Sequence, residues 1–295
     1  MNIKNHAHLN NPPIVIGGIG GSGTRLIAKI LIELGAYIGS DLNEAYDNLW
    51  FTLLFKRIEI LNVTHTEFQY LLNIFIKAMR APSLLTKHEI NTLTQLASTD
   101  RLQHSKEWLQ ERVNSLISKA EENNQHSLWG WKEPNTHIVL NRLKDSLPNM
   151  KYIHVVRNGL DMAYSKNQNQ ANLWGSSFLN KKIEATPYDS LQYWHYAHKR
   201  ILELSQSMES NFLLLNYDNF CLKPKQNLLI LLGFLNISPH KIDSLLPLIS
   251  PPQSISRFKQ HSLNEFSPED IMFVKSMGFD TDFKQQYKHN QQYAE

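Results

Sequence analysis

The chain has 295 residues, 42% of them hydrophobic and 19% charged, which supports a packed core and excludes wholesale disorder. A net charge of +3 with no Lys/Arg run is too little to imply nucleic-acid binding. Cys221 is the only cysteine, which excludes an intrachain disulfide and fits a reducing, cytoplasmic compartment.

Residues 1–11 read as a polar tail without the apolar core of a secretory signal, ended by Pro12 and Pro13. No stretch approaches the ~18 consecutive apolar residues of a membrane span. Ile14–Ile16 is a short buried-strand candidate. Arg25–Leu34 carries a helical apolar stripe at Leu26, Ile27, Ile30, Leu31 and Leu34, and Gly35 is its stop signal. Leu49 to about Glu122 lacks strand punctuation and reads as a helical insertion over approximately 50–125. Leu128–Lys132 is a second strand candidate, and Pro134 suits the first turn of a helix running to about Leu147.

Lys151–Val156 is a third, strongly β-prone strand. Asn158 is placed to cap the helix after it, with Asp161 three residues on. Gln168–Tyr188 reads as a polar loop carrying Trp174, and Leu191–Leu204 as a helix. Phe212–Leu215 is a fourth strand, Lys225–Leu235 a helix, and the segment from Pro251 a polar, loop-rich tail. There is no internal repeat. The alternation predicts an α/β layer fold, with a central parallel sheet and helices on both faces, as one domain over 12–295.

Between the first strand and its helix lie five glycines, at positions 17, 18, 20, 21 and 23. Such a turn aims backbone N–H groups and the positive end of a helix dipole at one spot, so its guest is a phosphate or sulfate. A nucleoside triphosphate with Mg²⁺ needs G-x-x-x-x-G-K-[ST]. Counted from Gly18, that frame puts Thr24 where the lysine belongs and Arg25 where the metal-binding hydroxyl belongs. Gly18, Gly20 and Gly23 do satisfy the dinucleotide pattern G-x-G-x-x-G, but Asp41 and Glu44, at the distance of its ribose acid, follow no good strand. The third guest is a sulfuryl-donor nucleotide, held by hydroxyls and N–H groups with no metal.

Four segments resemble the superfamily of sulfotransferases that use 3′-phosphoadenylyl sulfate (PAPS). The turn GSGTR at 21–25 is similar to its 5′-phosphosulfate loop, in the form seen in glycan sulfotransferases. KYIHVVRNGLDMAYS at 151–165 is similar to its 3′-phosphate segment, a strand ending in an arginine, here Arg157, with a serine, Ser165, eight residues later. WGWKEPNTH at 129–137 carries the Lys-x-Pro of many bacterial and glycan members, with Lys132 as the lysine. LLLNYDNFCLKP at 213–224 is similar to a late YEDL-like segment. Together they span about 12–240.

The resemblance implies a three-layer, P-loop-like fold. It implies transfer of a sulfuryl group from PAPS to a hydroxyl or amine of a glycan or small molecule, with the nucleotide PAP as product and no metal. The donor site would comprise Gly20, Gly21, Ser22, Gly23, Thr24, Arg25, Arg157 and Ser165, with Arg257 and Lys259 from a basic late loop. Catalysis would rest on Lys132 and Arg25 for charge and on Glu44 as general base, with Asp47 as its rival. Gly21 stands where many members carry a lysine or arginine, so the chain departs from the family there. The competing classes are a non-catalytic nucleotide- or PAP-binding protein of the same fold and an NAD(P)-dependent oxidoreductase.

Outside these motifs, His65, His88 and His104 carry no base motif, and no motif specifies an oligomeric state. His195 and His198 read as one side of a buried amphipathic helix, not a metal pair. Trp50 and Trp174 read as core residues before sugar platforms, and Cys221 as a small buried hydrophobe.

Overall fold

The computed structural model describes residues 11–80, 84–120 and 126–282, so the expected polar tail lies, apart from Asn11, outside the described residues. Four parallel strands form the central sheet: β1 (Ile14–Gly18), β2 (Gly130–Lys132), β3 (Lys151–Val156) and β4 (Phe212–Asn216), in the order β2-β1-β3-β4. Register pairs Ile14 with Gly130 on one side of β1 and with Lys151 on the other.

Both faces of the sheet are buried, and the two-residue strand period divides the side chains between two cores. Ile14, Ile16, Ile153 and Val155 pack on one face with α1 (Thr24–Glu33) and with Leu228, Leu231 and Leu232 of a late helix. Val15, Tyr152 and Val156 face the other core, shared with α2 (Leu49–Phe55), α3 (His65–Arg80), α4 (Lys87–Leu96) and α5 (Lys106–Ala120). These four helices fill the long connection from β1 to β2, where a helical insertion is expected.

Three expectations change in detail. The helix after Pro134 starts as a 3₁₀ segment, Pro134–Val139, and becomes α-helical only as α6 (Leu140–Ser146). The loop expected over 168–188 contains a helix. After the short α7 (Gly159–Ala163), capped by Asn158 as expected, α8 spans Asn169–Leu179. Its polar composition hides a helical stripe: Gln170, Ala171, Trp174 and Gly175 are buried at i, i+1, i+4 and i+5, and the Trp174 indole donates to Asn135 Oδ1 at 2.8 Å. Third, the segment after Pro251 is less loop-like than its composition. It holds a 3₁₀ turn at Arg257–Gln260 and a helix at Pro268–Ser276, whose Asp270 meets His195 Nδ1 at 2.6 Å on α9 (Pro187–Ser205).

Candidate active site

Because the strands are parallel, their carboxyl ends open on one edge of the sheet. The chain leaves β1 for β2 on one side, then crosses to β3 on the other, so the crevice between β1 and β3 is the topological switch point where α/β sheets bind ligands. The end of β1 is the glycine turn, and the end of β3 is Arg157.

The turn needs its glycines. Gly21 and Gly23 have φ of 94° and 100°, in the left-handed region, and a Cβ on Gly23 would run into the Tyr217 ring. The turn feeds α1, whose N-terminus has no side-chain cap, so its first N–H groups face the crevice as an anion site. Thr24 and Arg25 line the cleft there. Ser22 is buried under the turn, its hydroxyl without a hydrogen-bond partner among the described residues and close to the position a Cβ on Gly18 would take.

Lys132 ends β2 and is 2% exposed. Its ammonium donates to the Asp47 carboxylate and, at 3.0 Å, to the Ala45 carbonyl. The loop offering both is built by two asparagines. Asn43 Oδ1 accepts from the N–H groups of Ala45 and Asp47 at 2.9 Å each, and its Nδ2 donates to Asp47 Oδ2. Buried Asn48 donates its N–H to the Lys132 carbonyl at 2.7 Å and its side-chain amide to the Ile38 carbonyl, and caps α2 through Phe51 N–H. Lys132 and Asp47 therefore share a fixed scaffold. Beside them Glu133 is buried; Oε1 accepts from Asn135 at 2.8 Å and Oε2 has no partner among the described residues. Burial, with Asp47 nearby, pushes its carboxyl up to about 7, against the pull of Lys56, Asn135 and Lys132.

At the end of β3, Arg157 is 7% exposed. It donates to Ser254 Oγ at 2.7 Å, and its buried Nε lies 3.6 Å from Asp218 Oδ1, with no hydrogen-bond partner among the described residues. Ser165 closes the same corner, its hydroxyl 3.9 Å from where a Cβ on Gly21 would sit. The late loop is pinned here by Asp161, whose carboxylate accepts from the N–H groups of Ser256 and Phe258 at 2.8 and 3.0 Å. That contact brings Arg257 onto the Tyr164 carbonyl at 3.3 Å, and burial and the neighbouring Arg157 lower its pKa.

A cleft of about 360 Å³ runs from the glycine turn past Asp47, Lys132 and Glu133 to Asn169 and Gln170 of α8.

The profile of the Sulfotransferase family matches residues 12–241 of this sequence, most of the chain. The chain belongs to the sulfotransferase family. Among solved structures, the sulfotransferase domain of the Synechococcus PCC 7002 olefin synthase is similar with a TM-score of 0.51 and 16% identity, over 94% of this chain and 98% of that one. The sulfotransferase domain from the curacin biosynthetic pathway has a TM-score of 0.49 and 15% identity, over 91% and 98%. At such identities the likeness to the olefin-synthase domain bears on the fold alone. No curated protein matches by sequence.

In this sulfotransferase the sequence motifs converge unevenly. Gly20, Gly21, Gly23, Thr24, Arg25 and Lys132 line one cleft. Arg157 lies over the Tyr217 ring, Ser165 beside Gly21, and Arg257 on the carbonyl of neighbouring Tyr164. Two expected residues stand apart: Glu44 is exposed and does not line the cleft, where its rival Asp47 does, and Lys259 pairs with Asp280 at 2.5 Å on the surface. One cleft residue carries no local sequence signal: Lys56, at the C-terminal end of α2, reaches the cleft only through tertiary packing, whereas Glu133 follows Lys132 in the Lys-x-Pro segment. Trp50 and Trp174 are in the core, and His198 Nδ1 is spent on the Trp194 carbonyl. Among the described residues no helix is long and apolar enough to cross a membrane.

Proposed function

We propose that this sulfotransferase moves the sulfuryl group from PAPS to the hydroxyl, or amine, of a small-molecule or carbohydrate acceptor. The observation that carries the reading is a pair of anion sites facing each other across the β1/β3 crevice. One is the uncapped N-terminus of α1 behind the glycine turn. The other is the buried guanidinium of Arg157, whose Nε faces Asp218 at 3.6 Å and has no hydrogen-bond partner among the described residues. A nucleotide with phosphate at both 3′ and 5′ ends fits two such sites, and neither needs a metal.

In this mechanism the N–H groups of the turn, with Thr24 and Arg25, hold the 5′-phosphosulfate. Arg157 and Ser165 hold the 3′-phosphate, with Arg257 completing the corner. The acceptor oxygen bonds to sulfur as the bond from sulfur to the bridging oxygen breaks, and PAP leaves with that electron pair. Lys132 neutralises the charge on the departing oxygen. Asp47, held on Lys132 and open to the cleft, takes the acceptor proton in place of Glu44. A positioned base of this kind contributes ~10²–10⁴-fold in rate.

Calorimetric titration with PAP tests the reading, with NAD⁺ and ATP–Mg²⁺ as controls. PAP is expected to bind at micromolar strength or better and the controls not to bind. Well-folded protein that ignores PAP overturns it, and NAD⁺ binding would return the glycine turn to dinucleotide chemistry.

A further inference from the structure

A second, larger pocket of about 680 Å³ opens on the helical side of the molecule, between α3, α4 and the turn at 101–104. It adjoins the transfer cleft in two places. Lys56 lines both spaces and has no ion-pair partner among the described residues. Its charge is felt in both directions, since it pulls down the pKa of Glu133 in the cleft and of His104 in the pocket. Helix α8 also serves both, giving Asn169 and Gln170 to the cleft and Leu173 to the pocket, and Gln103 of the pocket donates to the Asn169 carbonyl at 3.2 Å.

The pocket walls are built in advance. Arg101 donates to the carbonyls of Leu53 and Leu96, at 2.7 Å each, tying the turn to α2 and α4. Paired backbone bonds between Arg101 and His104 close that turn at 2.8 and 3.1 Å. Burial and the nearby cations hold His104 down at about 4, so it is neutral at physiological pH.

We infer that this pocket is the acceptor subsite and that it takes a neutral glycoside, whose reacting hydroxyl passes Lys56 into the transfer cleft. This rests on the transfer reaction proposed above. The volume lies within the ~300–1,000 Å³ of small-molecule sites. Charge in the lining cancels: Lys56, Arg57 and Arg101 stand against Glu59, Glu67 and Asp100, which favours neither an anionic nor a cationic guest. The remaining lining is of two kinds. Tyr70, Leu96 and Leu173 offer apolar contact for an aglycone or a sugar's C–H face. Gln95 and Thr99 offer side chains that both donate and accept, as ring hydroxyls require, and Thr92, whose hydroxyl donates to the His88 carbonyl, can accept.

The probes are phenyl β-D-glucopyranoside and its charged counterpart phenyl β-D-glucuronide, titrated by saturation-transfer NMR into the full chain with PAP present. The neutral glycoside is expected to bind, at least fivefold tighter than the glucuronide. Thr99→Trp, on the exposed turn after α4, and Thr92→Trp, on α4, fill the pocket away from the transfer cleft. Each is expected to weaken glycoside binding at least tenfold while PAP affinity stays within twofold, and the pair guards against one variant misfolding. Absence of glycoside binding to PAP-loaded protein, binding to both variants as tight as to the wild type, or preference for the glucuronide overturns the inference. Loss of PAP binding in the wild type would instead overturn the proposed function.

Discussion

Glu133→Gln isolates the one buried acid of the cleft whose proton is poised near neutrality. Glutamine keeps the shape of the side chain and an oxygen for the Asn135 amide. In the folded protein burial holds the carboxyl at about 7, whereas its ordinary value is 4.5. Between those two pH values the unfolded chain has released this proton and the folded chain still keeps it. Stability from this group is therefore fully present below about pH 4.5 and is lost as pH rises through about 7. At ~1.4 kcal/mol per unit, the shift corresponds to about 3 kcal/mol. Urea denaturation of both proteins from pH 4.5 to pH 8 measures it. The glutamine amide adds a constant offset, and titrating groups that do not interact with Glu133 cancel in the difference. Glu133→Gln should gain about 3 kcal/mol on the wild type across that range. A difference that stays flat with pH would mean that Glu133 is already ionised in the folded state and would refute the reasoning.

Arg157→Ala should weaken PAP binding ~10–100-fold by calorimetry, the loss expected for a charge-assisted phosphate contact. Gly23→Ala puts a side chain on a left-handed residue, costing ~1–2 kcal/mol before the collision with Tyr217 is counted. It should lower the melting temperature by several degrees and abolish PAP binding. Asp47→Asn leaves the buried Lys132 ammonium without its anion and removes the proposed base, so kcat should fall at least ~10²-fold while PAP affinity changes only a few-fold. His137 and His198 are held down by burial at about 3 and about 4, and His154 is lowered too. Their contribution has the opposite sign to that of Glu133: it is present above the ordinary histidine value and lost as pH falls. A thermal-melt series from pH 7 to pH 4.5 should show stability falling, and His137→Asn should flatten the fall.

Much of the geometry of the proposed donor site was legible because it is local. A strand, a glycine turn and a helix follow one another within residues 14–33, and the geometry that makes the turn an anion site follows from residue types alone. Arg157 and Ser165 were legible for the same reason, since a strand end and the short helix after it fix their separation. The carboxylate at Lys132 was not. Glu44 and Asp47 lie in one irregular loop, and only the hydrogen bonds of Asn43 and Asn48 decide which of them turns inward. Helix α8 was missed because its inward face uses Gln170 and Gly175, residues that read as loop until Asn135 and Trp174 pair across the core. Lys56 was invisible because nothing around position 56 predicts that the end of α2 will meet the end of β2.

The absence of a lysine from the glycine turn has a physical reason in the same geometry. Gly21 sits at φ 94°, with the side chains of Met162 and Ser165 just 3.6 and 3.9 Å from a Cβ placed there. The space would admit a side chain, but the backbone would carry a left-handed penalty of ~1–2 kcal/mol. Parallel topology offers another route to the same charge. It aligns the end of β2 with the end of β1, so that Lys132 faces the turn from the neighbouring strand, and it brings the end of α2, with Lys56, over the same cleft. Under the proposed mechanism the cation opposite the phosphosulfate is thus borrowed from an adjacent strand. There Asp47 and the Ala45 carbonyl aim it, partners that hold it from the neighbouring strand.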